Sequence, residues 1–131
     1  MARSSSSQPT EVELQILRIL WQADSATARE VHNSLADVEA RETTYSTTVK
    51  MLSVMLEKGL VKRDESVSPQ AYSAASSRKV TQRKMLGDLI EKVYDGSALS
   101  LVSQALSSRK ATPDELTEIR RIIDQLEGKS P

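Results

Sequence analysis

Hydroxyl and cationic residues cluster in one stretch, TTYSTTVKMLSVMLEKGLVKR, residues 43–63. Ser46, Thr47 and Thr48 precede Lys50 and Met51, and the adjacent cations Lys62 and Arg63 close the stretch. Hydroxyls and backbone N–H groups in the first turn of a helix bind phosphate. A lysine one turn further on reaches a phosphate or a guanine edge, and a methyl-bearing side chain touches a thymine methyl. The chemistry is recognition of a polyanion, not bond making. Thr47, Lys50, Met51 and Val54 recur at i, i+3, i+4 and i+7, opposite an apolar stripe of Val49, Leu52, Met55 and Leu56.

Each of these residues also has a plainer use. A hydroxyl at 46 or 48 suits a helix N-cap, and an exposed lysine is ordinarily just solvated. Met51 and Val54 suit a protein-binding surface, and Lys62 with Arg63 suit protection of a sheet edge. What favours DNA is their combination within the element order that follows.

Other chemistries find little support. The 131 residues include one histidine, His32, and no cysteine, so neither a histidine-based nor a thiolate metal constellation can be built. His32 reads as a surface or helix-packing residue. No G-x-x-x-x-G-K-[ST] stretch is present for nucleotide phosphates, and Asp114 and Glu115 suit the first turn of a helix. No catalytic residue, metal or cofactor is therefore expected, and the chain does not read as an enzyme. Net charge is zero, with 18 basic and 18 acidic residues, so the total does not argue for nucleic acid. The distribution says more: residues 1–42 carry four basic and seven acidic groups, whereas 43–63 carry Lys50, Lys58, Lys62 and Arg63 against Glu57 alone.

The elements that must position this stretch announce themselves by their ends. Thr10 with Glu13, Thr27 with Glu30 and Thr112 with Glu115 each fit the T-x-x-E capping box, ahead of an apolar-periodic segment. Pro113 fits the first helical position. Helices are expected at about 11–22, 28–36 and 46–58, the last closed by Gly59. LVKRD and QAYSA, around the turn-like ESVSP, read as two short strands. AASSRK, residues 74–79, reads as a hinge, and three further amphipathic helices follow. The leader, residues 1–8, reads as disordered and has no apolar h-region of a secretory signal; no run approaches a membrane span. A cytoplasmic protein without membrane insertion is expected.

Three helices followed by a two-stranded hairpin is the order of a winged helix, in which the third helix enters the major groove. The expected fold is mainly α: an N-terminal winged helix-turn-helix over 9–75, with three helices plus a two-stranded wing, and a C-terminal three-helix dimerisation domain over 76–128. The second domain carries Leu89, Val93, Leu101, Val102, Leu106, Leu116, Ile119, Ile122, Ile123 and Leu126. A monomeric bundle of that size is marginal, whereas a two-fold homodimer buries these residues better. It also sets two reading helices about one duplex turn, ~34 Å, apart.

The segments PTEVELQILRILW, TAREVHNSL, YSTTVKMLSVMLEKGLVKR, YDGSALSLVSQAL and TPDELTEIRRIID resemble the penicillinase-repressor (BlaI/MecI/CopY) family of winged-helix transcriptional repressors, over about residues 9–127. The resemblance implies a homodimeric repressor of β-lactamase or related antibiotic-response genes, bound to double-stranded operator DNA at an inverted repeat. It implies that Ser46, Thr47, Thr48, Lys50 and Met51 belong to the recognition helix and that Lys62 and Arg63 open the wing. In antibiotic-responsive members a membrane sensor-protease pathway leads to cleavage in the C-terminal helices. The family's Asn-Phe bond falls near Gln104 and Ala105 here, where the residue types differ. The cysteine cluster of the copper-responsive branch is absent, and Ser68 stands where many members carry a wing arginine. A winged-helix protein–protein interaction module is the alternative.

Overall fold

All three capping boxes close. Thr10 Oγ1 accepts from the Glu13 N–H at 3.2 Å, and Glu13 Oε1 accepts from the Thr10 N–H at 3.0 Å. The same reciprocal pair joins Thr27 to Glu30 and Thr112 to Glu115. In the computed structural model, which describes residues 8–39 and 43–129, these boxes start three of six helices. The elements run α1 (Glu11–Ala23), β1 (Ala26–Thr27), α2 (Ala28–Glu39), α3 (Tyr45–Glu57), β2 (Val61–Asp64), β3 (Ala71–Ala74), α4 (Arg78–Val93), α5 (Ala98–Ser108) and α6 (Pro113–Leu126). The fold is an N-terminal winged helix-turn-helix followed by a helical region, as the element order led us to expect. The expected leader, apart from Gln8, lies outside the described residues.

The sheet holds one more strand than the hairpin alone. Its order is β1-β3-β2, antiparallel throughout, with Ala26 opposite Tyr72 and Val61 opposite Ala74. β1 is only two residues long and has no period of its own. It exists because the link between α1 and α2 lies along the free edge of β3.

The hydrophobic core draws on α1, α2, α3 and all three strands. Ile16, Leu17 and Leu20 of α1 meet Val31 and Leu35 of α2, Leu52 and Met55 of α3, and Ala26, Val61 and Tyr72 of the sheet. Burying each large aliphatic side chain contributes about 1.5–3 kcal/mol. Helix α3 ends as its glycine dictates: Gly59 takes φ +78°, its N–H reaches the Leu56 carbonyl, and the Leu60 N–H reaches back to Met55. This Schellman closure turns the chain directly into β2.

Residues 74–79, expected to be a hinge, are tied down. The Trp21 indole N–H donates to the Ser76 carbonyl at 2.9 Å, and the Arg78 guanidinium lies over the Trp21 ring. The chain divides into two units between Met85 and Leu86, partway along α4. In the second unit no residue of α5 or α6 is fully buried. No helix among the described residues is long and apolar enough to cross a membrane.

Candidate nucleic-acid interface

Thr44, and neither Ser46 nor Thr48, caps α3. Its Oγ1 accepts from the Thr47 N–H at 3.2 Å and lies 2.8 Å from Thr47 Oγ1 and 3.3 Å from Ser46 Oγ. Three hydroxyls thus gather at the start of the helix, exposed to solvent. The positive end of the helix dipole lies at the same place.

The face behind them sets the rotation of α3. Thr48, Leu52 and Met55 are buried, with Thr48 at 0% exposure. The contact role expected for Thr48 is therefore corrected: its side chain points into the domain. A hydroxyl tolerates that position because it has partners, lying 2.9 Å from His32 Nδ1 and 3.5 Å from the Thr44 carbonyl oxygen. Val49 and Leu56, expected in the inward stripe, only flank it at partial burial. Met51 packs against the core rather than standing clear of it. The exposed face is made of Ser46, Thr47, Lys50, Ser53, Val54 and Glu57. Ser46, Thr47 and Lys50 are brought together as expected; Ser53 joins them one turn on.

The far end of α3 is braced from α1. Lys58 Nζ donates to Glu13 Oε1 at 2.6 Å, with the Glu13 side chain 8% exposed. Glu13 thus completes a capping box and anchors the last turn of the candidate reading helix.

In the wing, Lys62 and Arg63 are split. Neighbouring strand residues point to opposite faces. Lys62 is exposed, while Arg63 sits opposite the buried Tyr72. The Arg63 guanidinium donates to Glu65 Oε2 from Nε at 3.2 Å and from Nη2 at 2.8 Å. That pairing, with a further hydrogen bond to Tyr72, raises the Arg63 pKa above its ordinary value. The turn is shaped by Asp64, which accepts from the Ser66 hydroxyl at 2.6 Å and the Ser66 N–H at 3.0 Å. These bonds lower the Asp64 pKa, the hydroxyl contributing most.

Thr44, Tyr45 and Arg29 also stand at the start of α3, although the apolar periodicity does not single them out. Tyr45 opens α3, the Arg29 guanidinium lies 3.9 Å from its ring centroid, and His32 meets it edge-on at 5.8 Å. The signal for Thr44 was available: a threonine three residues ahead of Thr47, immediately before the periodic run.

In the second unit the apolar residues expected to pair two copies remain open to solvent. Val93 is 62% and Leu126 83% exposed; Leu89, Val102, Leu106, Ile122 and Ile123 are exposed to lesser degrees. Leu101, Leu116 and Ile119 are half-buried. Gln104 and Ala105 are exposed on α5.

A family model described as penicillinase repressor matches residues 9–125. The methicillin resistance regulatory protein MecI of Staphylococcus aureus (strain N315) is 23% identical over 117 residues, covering 88% of this chain and 93% of its own length. MecI of Staphylococcus epidermidis matches with the same identity and coverage. The match spans both the winged helix and the helices that follow it, so the chain belongs to the penicillinase repressor family.

Proposed function

We propose that this protein is a homodimeric, cytoplasmic transcriptional repressor that binds double-stranded operator DNA at an inverted repeat, controlling β-lactamase or related antibiotic-response genes. One observation carries the DNA contact. The exposed face of α3 presents Ser46, Thr47, Lys50 and Ser53 while Thr48, Leu52 and Met55 hold its back to the core. First-turn hydroxyls and N–H groups suit phosphates, and Lys50 suits a phosphate or a guanine edge. Lys62 adds a backbone contact from the wing. Arg63 adds one only by leaving Glu65. The relatives' names, methicillin resistance regulatory proteins, support the choice of target genes.

The dimer rests on the second unit. Leaving Val93, Ile122, Ile123 and Leu126 in water costs free energy that a second copy of the same helices removes, at ~25 cal/mol per Å² buried. Relief of repression by a sensor-protease pathway acting in α5 is compatible with the exposure of Gln104 and Ala105. The helix would have to open locally for a protease to reach that bond.

Lys50→Ala tests the face. Binding to a duplex should weaken by roughly tenfold, and the slope of log K against log salt should fall by ~0.9 per reading helix. The circular dichroism spectrum and melting temperature should not change, because Lys50 is exposed. Unchanged affinity would contradict this placement of the reading face. A wild-type affinity that ignores salt would instead favour the protein-interaction module, for which Val54 is exposed while Met51 is half-buried against the core.

A further inference from the structure

Arg29 occupies the second position of α2, an unfavourable place for a cation because the positive end of the helix dipole lies there. It is exposed and contributes nothing to the core. Its guanidinium nevertheless has a partner, with Cζ lying over the Tyr45 ring 3.9 Å from the centroid. Tyr45 is held in turn. His32 meets the ring edge-on with an interplanar angle of 86°, and His32 Nδ1 lies 2.9 Å from the buried Thr48 hydroxyl. A chain of contacts thus runs from inside the domain to an exposed guanidinium.

The chemistry of that arrangement is specific. A guanidinium stacked on an aromatic ring keeps its N–H fork in the plane of the stack, where it can donate two bonds to a phosphate. Holding the fork in advance lowers the ordering cost of binding. Tyr45 immediately precedes Ser46 and Thr47, so the fork is held at the same end of α3 as the exposed hydroxyls that open it. In helix-turn-helix docking, the helix before the reading helix crosses the backbone. We propose that Arg29, stacked on Tyr45, is a phosphate clamp for the DNA backbone flanking the groove that α3 enters. This assignment rests on the DNA-binding function proposed above, and it identifies a contact made by α2 rather than by α3 or the wing.

The test uses the full chain and a fluorescently labelled mixed-sequence duplex, titrated over a range of salt. Arg29→Ala should weaken binding by roughly tenfold per chain and lower the salt slope by ~0.9 per chain, with the melting temperature little changed. Arg29→Lys keeps the charge but loses the fork, so it should retain the slope with intermediate affinity. Tyr45→Phe keeps the ring and should bind as the wild type does. Tyr45→Ala should weaken binding without changing net charge, and should have little effect when Arg29 is already alanine. An unaltered slope in Arg29→Ala, with wild-type binding still steep in salt, would overturn the clamp and leave a packing pair between α2 and α3. Additive effects of Arg29→Ala and Tyr45→Ala would overturn the platform role of the ring. A wild-type chain that binds no duplex at any salt would remove the repressor function itself, and the clamp with it.

Discussion

Thr48 carries a buried hydroxyl whose desolvation is offset by its neighbours, His32 Nδ1 and the Thr44 carbonyl. Thr48→Val keeps the volume and removes those bonds, so it should destabilise the protein by about 1–2 kcal/mol, read as a lower melting temperature. A melting temperature equal to the wild type would show that the His32 contact contributes nothing. Burial of such a residue depends on a partner sixteen positions away. Periodicity cannot register that partner, which is why Thr48 reads as a contact in the sequence and Val49 and Leu56 read as inward beside Leu52 and Met55, which are buried. Lys50 was legible because a long cation has no such alternative: on an amphipathic helix it goes outward. The Arg29–Tyr45 stack was not legible, since nothing in either segment says that the two meet.

Helices were the most readable elements, because their ends carry local chemistry. A threonine three residues before a glutamate fixed the starts of α1, α2 and α6, and Gly59 fixed the end of α3. The hairpin was legible from its turn. β1 was not, since a two-residue strand is defined by its neighbour β3 and not by its own sequence. The brace between α1 and α3 was likewise hidden, because Glu13 was accounted for by its cap and Lys58 by the helix end. Lys58→Met removes the partner of a nearly buried carboxylate. It should cost about 1–2 kcal/mol, less than the loss of a fully buried pair because Lys58 itself is part-exposed. Chemical denaturation should show a lower midpoint with an unchanged m-value. An unchanged midpoint would mean that α3 is seated by its apolar face alone.

At the scale of the whole molecule, the two units have opposite needs. The first buries ten apolar residues in a core of its own, whereas the second leaves large aliphatics in water along α4, α5 and α6. In the proposed homodimer a two-fold partner would cover these residues and would set two reading helices on one duplex, which an isolated winged helix does not achieve. The sequence pattern displayed the aliphatic residues but not their exposure, which depends on how few contacts the three helices make with each other. The most direct measurement is a genome-wide map of DNA bound by the wild-type chain and by Lys50→Ala, with and without a β-lactam. The wild-type chain should occupy discrete sites that contain an inverted repeat with half-sites about one helical turn apart, near β-lactamase or related genes. These sites should be depleted by the β-lactam and lost in Lys50→Ala. No enriched DNA, or sites without two-fold symmetry that persist in Lys50→Ala, would contradict the proposed repressor function.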